Sequence, residues 1–479
     1  MQRLLRLKTV SRLTSRLAVV SKFPRYHGVS VLSERQRRII PCRFFSTSTS
    51  VSQQNVGTQM SSDNKGDDPM AQSGFLLRIT LERLVQDLSN EPVPTVALND
   101  LLKFHNHASV DKEAILIENA NDILRDMFIL VGRSIQRFSN LPYIVLMNPH
   151  MAKIYECYID TLRVLVRFVQ DCSGGDLDIQ PYRAYDDLSR FKITTAEQNE
   201  KLIQVLGNIL EMHTDNTVDL REGFDEIDSS LVDDKNFLNP HMRERILMRL
   251  LVNHHILLNS QLKQTDDLKS LKSIGVIDMN VNVLEILSHS YTYVNDMAAM
   301  KYADKIEVNV KSILLKSDGT ARIQEVGDIG NYGDFDPLVF PYVISHIEYV
   351  FDEILKNSTR ACMDNKITRP IEVLVILKEP TSPEEFYRLD VRITDYAKGI
   401  KPEIVENLFD YSFTTVNDSE DGTKLLDNTS ANMIAGMGYG LPMSLTYTRL
   451  FDGNIFLKSV YGQGTTVYLQ WRGIQGKMV

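Results

Sequence analysis

The sequence predicts an α+β chain. An N-terminal helical bundle, four-helix-bundle-like, is followed by a C-terminal α/β sandwich whose mixed sheet is covered by helices on one face. Three observations carry this. Between residues 74 and 295 apolar residues recur at helical spacing with few strand signals. From about residue 304, short alternating segments appear, separated by long helical ones. In the middle of that second part, Val343–Ala361 reads as one half-buried helix with Val343, Ile347, Val350, Phe351, Ile354 and Leu355 on its apolar side. At about 100° per residue, Glu353, Asn357 and Arg360 fall within roughly 60° of one another, a polar ridge away from that stripe.

In the first part the periodicity predicts helices over 74–89, 112–138, 150–171, 194–212, 239–262 and 281–300. Ser173-Gly174-Gly175-Asp176 and Asn239-Pro240 read as loops between them. The segment 245–259 is apolar on most of its circumference, as expected inside a bundle. His254 and His255 are adjacent, so their imidazoles point to different faces and read as core residues rather than metal ligands. Arg243, Arg245 and Arg249 could line an anion pocket, although ion-paired or solvated arginines explain them as well. In the second part, strands are expected at Lys305–Val310, Ala321–Val326, 371–377, 388–395, Asn454–Ser459 and Thr465–Gln470.

Residues 1–45 differ in composition from everything that follows. They carry eleven Lys/Arg and a single acid, Glu34, and Met1–Val20 suits a basic amphipathic helix. An Arg-rich, Ser-rich, acid-poor leader predicts a mitochondrial transit peptide cleaved after Phe45 and a mature protein in the mitochondrial matrix. Residues 46–73 are polar and read as a disordered linker. The whole chain has a net charge of −9, so without the +10 leader it stands near −19, which argues against nucleic acid as the partner. No apolar run approaches the ~20 residues of a transmembrane helix. Cys42, Cys157, Cys172 and Cys362 form no Cys-x-x-Cys pair, and no Cys/His cluster has zinc-ligand spacing.

Four pieces carry chemistry. The helix ridge offers an acid (Glu353), an amide (Asn357) and a guanidinium (Arg360), which on most helices would be only a solvated face. Asp395 ends a strand and precedes the turn to Gly399, where it could accept from an exocyclic amine or simply form the turn. Gly436-Met437-Gly438-Tyr439-Gly440-Leu441-Pro442 opens a helix, a pattern that brings backbone N–H groups to an anion but lacks the strand and Gly-Lys-Ser/Thr of the common nucleotide loops. Gly464-Thr465 enters the last strand, and a polar stretch with Thr414 and Thr415 has the composition of a lid.

Singly these are weak signals; their order is specific. Glu-x-x-x-Asn, then Asp-x-x-x-Gly, a polar lid, Gly-x-Gly-x-Gly and Gly-Thr resembles the GHKL ATP-binding superfamily of histidine kinases, topoisomerase ATPase domains and heat-shock chaperones. Within it, residues 353–361, 436–443 and 462–469, with Leu141-Pro142-Tyr143, Asn148-Pro149-His150 and 245–255, resemble the mitochondrial pyruvate and branched-chain ketoacid dehydrogenase kinases over about 75–473. The resemblance implies a transit peptide at 1–45, a linker at 46–73, a regulatory and lipoyl-docking helical domain at 74–300, a GHKL kinase domain at 301–473 and a tail at 474–479.

It further implies ATP and Mg²⁺ as cofactors. Glu353 would be the base, Asn357 the magnesium ligand and Asp395 the adenine reader, with Thr465 supporting the adenine site. ATP contacts would come from Arg360, Gly399, Thr414, Thr415, Gly436, Met437, Gly438, Tyr439, Gly440 and Leu441. The substrate would be a serine of the decarboxylase subunit of the pyruvate dehydrogenase complex, with the branched-chain complex as alternative. Docking would be on a lipoyl domain, by a homodimer or a heterodimer with a paralogous kinase. Two positions depart from the family pattern: Ala397 replaces a glycine, which costs stability if that position needs positive φ, and Tyr349 stands where a histidine often precedes the base. A histidine kinase would need a His followed by an acid or Asn, and only His105-Asn106 fits. A non-catalytic ATP-binding scaffold is the third reading.

Overall fold

A computed structural model describes residues 69–102, 112–174, 184–228, 230–264, 272–331, 333, 335–411 and 438–476. The leader, His105-Asn106, Gly175-Asp176, Thr414, Thr415, Gly436 and Met437 lie outside the described residues.

The helical part runs α1 (Pro69–Asn90), α2 (Leu98–Leu101), α3 (Lys112–Ser139), α4 (Tyr143–Leu146), α5 (Pro149–Cys172), α6 (Ala184–Arg190), α7 (Ala196–Met212), α8 (Asn216–Glu226) and α9 (Asp234–Gln264). The five long helices expected there are α1, α3, α5, α7 and α9, while α6 and α8 were not foreseen. α1 starts at Pro69, inside the span read as linker, with proline suited to the first helical position. Local chemistry sets other boundaries. Asn148 caps α5 by accepting from the N–H groups of His150 (2.9 Å) and Met151 (3.2 Å). Thr195 and Gln198 form a capping box that starts α7.

Asn239-Pro240 is not a loop: Pro240 lies within α9. A proline there removes one helical hydrogen bond, which typically costs about 3 kcal/mol. Phe237, Leu238 and Met242 are buried on either side of it, and that packing carries the helix through.

The C-terminal part runs β1 (Ser273–Ile274), β2 (Ile277–Asp278), α10 (Val283–Tyr302), β3 (Val308–Leu315), β4 (Ala321–Asp328), β5 (Tyr342–Val343), α11 (Ile344–Asp364), β6 (Ile371–Lys378), β7 (Phe386–Asp395), α12 (Pro402–Val405), α13 (Gly440–Arg449), β8 (Asn454–Val460) and β9 (Gly464–Gln475). Six strands form one sheet in the order β4-β3-β6-β7-β9-β8. β3 and β6 are parallel and the other pairs antiparallel, so the sheet is mixed, as expected.

On β6, Val373, Val375 and Leu377 join the main core, whereas Leu374 and Ile376 point the other way into a small cluster with Ile313. The covering layer is built of α10, α11 and α13. Phe351 of α11 meets Trp471 of β9 edge to face at 5.8 Å, and Leu389, Val391 and Ile393 fill the same space. α10 lies along α11, joined by the Ser290–Asp352 hydrogen bond. The apolar stripe of α11 is buried as its spacing predicts, which leaves the opposite ridge to face a cleft.

Candidate active site

A cleft of about 360 Å³ opens between α11, the end of β7, the start of α13 and the β8–β9 pair. Glu353, Asn357, Arg360, Asp395, Gly399, Gly438, Gly440, Leu441 and Thr465 all line it, although they come from segments more than a hundred residues apart. Tyr439 does not: its ring is buried and meets Tyr411 edge-on at 5.3 Å.

Glu353 sits at the inner end of the ridge, its side chain 16% exposed. Its Oε1 accepts from the ammonium of Lys356, one turn further on. Its Oε2 lies against Gly440, where an added Cβ would come within 2.1 Å of that oxygen. Gly440 is therefore required by the approach of a carboxylate. Gly438, at φ +72°, is required by backbone conformation instead. Asn357 is exposed on the cleft side of the helix, one turn beyond Glu353. Arg360 pairs with Asp364 at 3.4 Å, and Asp364 also accepts from the Tyr302 hydroxyl at 2.8 Å.

At the other wall Asp395 is buried. Its Oδ1 accepts from the backbone N–H groups of Ala397 (3.1 Å) and Thr465 (3.2 Å), and Ser358 adds a side-chain bond. Burial pushes the carboxyl above its usual range, and these donors pull back toward the charged form. The strain expected at Ala397 is absent: this residue is buried with an ordinary negative-φ backbone. The tight position is Gly399, at φ +71°, where a Cβ would stand 2.4 Å from the Val460 carbonyl oxygen. Replacing the middle glycine by alanine therefore leaves the turn intact.

The second departure has a different outcome. Tyr349 is largely buried, its hydroxyl donating weakly to the Met443 sulfur (3.5 Å) and its ring 5.0 Å from Tyr447. Burial first, and then Glu353, push its hydroxyl far above the usual tyrosine range, so it stays protonated. His346 is buried between Tyr447 and Phe451, and burial brings its pKa down to about 3. It is neutral and packed away from the ridge, so it does not substitute for the missing histidine.

Several cleft residues escaped the sequence reading. Ser358 bonds Asp395 from the helix side, Lys398 and Asn365 stand at the rim, and Ile354, Ile400, Leu408, Leu457 and Val467 supply apolar walls. Leu457 and Val467 face each other across the β8–β9 ladder, a pairing that the alternation of β9 with Thr465 could have suggested. The arginines of α9 do not converge on one pocket. Arg243 is exposed, Arg245 is buried and donates to the His213 carbonyl at 2.8 Å, and burial lowers the pKa of half-buried Arg249. His254 packs on Gly275 while His255 bonds Asn199 at 2.9 Å, so the two rings diverge as expected.

Comparison with known proteins agrees with this geometry. Residues 95–278 match the family model described as mitochondrial branched-chain alpha-ketoacid dehydrogenase kinase. Residues 342–473 match the model described as histidine kinase-, DNA gyrase B-, and HSP90-like ATPase. The chain is 26% identical over 404 residues to pyruvate dehydrogenase (acetyl-transferring) kinase 1, mitochondrial, of Saccharomyces cerevisiae, covering 83% of this chain and 89% of that one. It is 26% identical to isozyme 1 of the same kinase from Homo sapiens, over 71% of this chain and 70% of the relative. Against isozyme 4 from Mus musculus it is 27% identical, over 51% and 52%. The first match covers most of the helical part and the second lies within the C-terminal part, where it contains the cleft described above. Together these matches support the family of mitochondrial pyruvate and branched-chain ketoacid dehydrogenase kinases, within the GHKL ATP-binding superfamily.

Proposed function

We propose that this chain is an ATP-dependent protein serine kinase that phosphorylates and so inactivates the decarboxylase subunit of the pyruvate dehydrogenase complex. The observation that carries this reading is the gathering of Glu353, Asn357, Asp395, Gly440 and Thr465 around one cleft, in a chain whose relatives along most of its length are pyruvate dehydrogenase kinases.

Phosphoryl transfer demands mainly positioning and charge neutralisation. The adenine end of ATP belongs at Asp395: its Oδ1 is taken by two backbone amides, and the carboxylate is held to accept from an exocyclic amine. The phosphates belong toward the Gly438–Gly440 turn. Asn357, one helical turn beyond Glu353 on the cleft side, offers a hard oxygen donor, which suits Mg²⁺, an ion that takes few protein ligands and completes its shell with phosphate oxygens and water. Glu353 accepts the proton of the substrate hydroxyl, and Lys356 holds its carboxylate in place. Arg360, with Thr414, Thr415, Gly436 and Met437 of the lid, steadies the phosphates.

The same reading puts the mature protein in the mitochondrial matrix after loss of residues 1–45. The helical domain 74–300 serves docking and the domain 301–473 catalysis, with Asn99 bonded to Gln475 at the end of β9 and Lys235 paired with Asp410 between them. Exposed Tyr143, Ile144 and Met147 on the helical part support contact with a lipoyl domain. Exposed Phe456 and Val460 on the edge strand β8 support dimerisation through the sheet.

Incubating the protein with γ-labelled ATP and either the pyruvate or the branched-chain dehydrogenase complex tests the function. The expected result is acid-stable phosphoserine on the pyruvate decarboxylase subunit. Label only on the branched-chain subunit would move the substrate. Acid-labile label on the enzyme would make it a histidine kinase, and no label on either would leave a scaffold.

A further inference from the structure

One cluster of ligand-type side chains lies outside the cleft. His150 occupies the second helical position of α5, fixed there by the Asn148 cap, which uses only its backbone N–H. Its Nδ1 is 3.2 Å from Asp219 Oδ1 and 3.5 Å from Glu222 Oε2, both on α8. Asp219 and Glu222 are three residues apart and so share one helix face. The helices meet closely at this point, since a Cβ on Gly223 would stand 3.0 Å from the Met151 sulfur. Asp219 is 5% exposed, a carboxylate held almost wholly inside and aimed at the cluster. Its other oxygen, Oδ2, is 2.7 Å from the ammonium of Lys153.

We propose that His150, Asp219 and Glu222 form a binding site for a divalent first-row transition metal ion, with zinc as its simplest occupant, that clamps α5 to α8. The spacing supports this. Zinc–nitrogen and zinc–oxygen bonds of about 2.0–2.2 Å put neighbouring donors of a tetrahedral ion roughly 3.3–3.5 Å apart. The two separations from His150 bracket that range, and all three ligand atoms lie within 4.8 Å of one another. One imidazole with two carboxylates is a donor set that zinc, cobalt and manganese accept, and it leaves one position or more for water. None of the three residues lines the ATP cleft, so the site is separate from the catalytic machinery. Lys153 is a competing cation: its ammonium supplies to Asp219 part of the charge that the metal would supply.

The competing explanation is a proton, with the imidazolium of His150 bridging the two acids and no metal involved. Calorimetric titration of the untagged, metal-stripped protein with ZnCl₂ at pH 7.5 separates the two. One equivalent of zinc should bind at micromolar or tighter affinity, and cobalt in its place should develop visible absorption. His150→Ala should weaken binding by about 100-fold and Glu222→Gln by about tenfold, within the scale on which metal sites respond to loss of their ligands and supports. Lys153→Met should tighten it several-fold, a gain that a merely structural ion-pair cluster would not show. All three variants keep the Asn148 cap, which uses backbone N–H groups, and the thermal midpoint without metal checks that they fold. Absence of binding below about 1 mM, unchanged affinity in His150→Ala, or weaker binding in Lys153→Met would overturn the site.

Discussion

The two helices α9 and α11 both bury much of their surface and both carry many polar residues, yet they use them oppositely. On α9, His241, Glu244, Arg245, His254, His255 and Asn259 are all buried. Where their bonds are seen, they answer partners inside the bundle. Glu244 Oε1 takes Arg137 at 2.7 Å and Arg133 at 3.3 Å, and His255 takes Asn199. Burial brings the His255 pKa down to about 4, so it sits neutral. On α11 the polar ridge is left at a cavity, with Asn357 exposed and the Glu353 carboxylate wedged between Lys356 and Gly440. Polar residues that meet one another hold a fold together; polar residues that meet a cavity are free to meet a ligand.

That contrast can be broken experimentally. The largest expected effect is on the structural side. Glu244→Ala leaves Arg137 facing a buried void while Arg133 keeps the Ser89 and Glu91 carbonyls, and removing one partner of a buried ion pair costs about 3–5 kcal/mol. Urea unfolding should show the loss, with ATP affinity per folded molecule unchanged. On the cleft side, Gly440→Ala should do the reverse. The intruding methyl meets the side-chain end of Glu353, which can rotate aside, rather than backbone, so stability should change by less than about 1 kcal/mol. The displaced carboxylate should cost roughly tenfold or more in kcat, as misplacement of a catalytic group does. The smallest effect is expected at Ala397. Because its φ is not positive, Ala397→Gly should not stabilise the protein and should cost about 0.5–1 kcal/mol at most, leaving nucleotide affinity as it is. A gain in stability or affinity would mean that the turn is strained after all.

The sequence was most legible where one helix or strand carries a whole signal by itself. The stripe and ridge of α11 follow from a single periodicity, and β7 and β9 follow from alternation. It was least legible where two distant segments decide the outcome. Pro240 reads locally as a helix breaker, and only the packing of Phe237, Leu238 and Met242 shows why the helix continues. Ser358 looks like part of a buried helix face until Asp395 arrives from β7. Tyr439 lies in the middle of the glycine motif, but its side chain turns toward Tyr411, because a motif fixes backbone more firmly than side-chain direction. His150 and Asp219 are 69 residues apart, so no spacing rule for metal ligands could join them.

The base assignment of Glu353 is the centre of this account. It is tested most directly by single-turnover phosphorylation of the pyruvate dehydrogenase complex with saturating ATP by Glu353→Gln. The amide keeps the shape of the side chain but cannot take a proton. Loss of a general base predicts a rate lower by about 10²- to 10⁴-fold with ATP binding retained. Transfer at the wild-type rate would remove Glu353 from the chemistry and return the ridge of α11 to a solvated helix face.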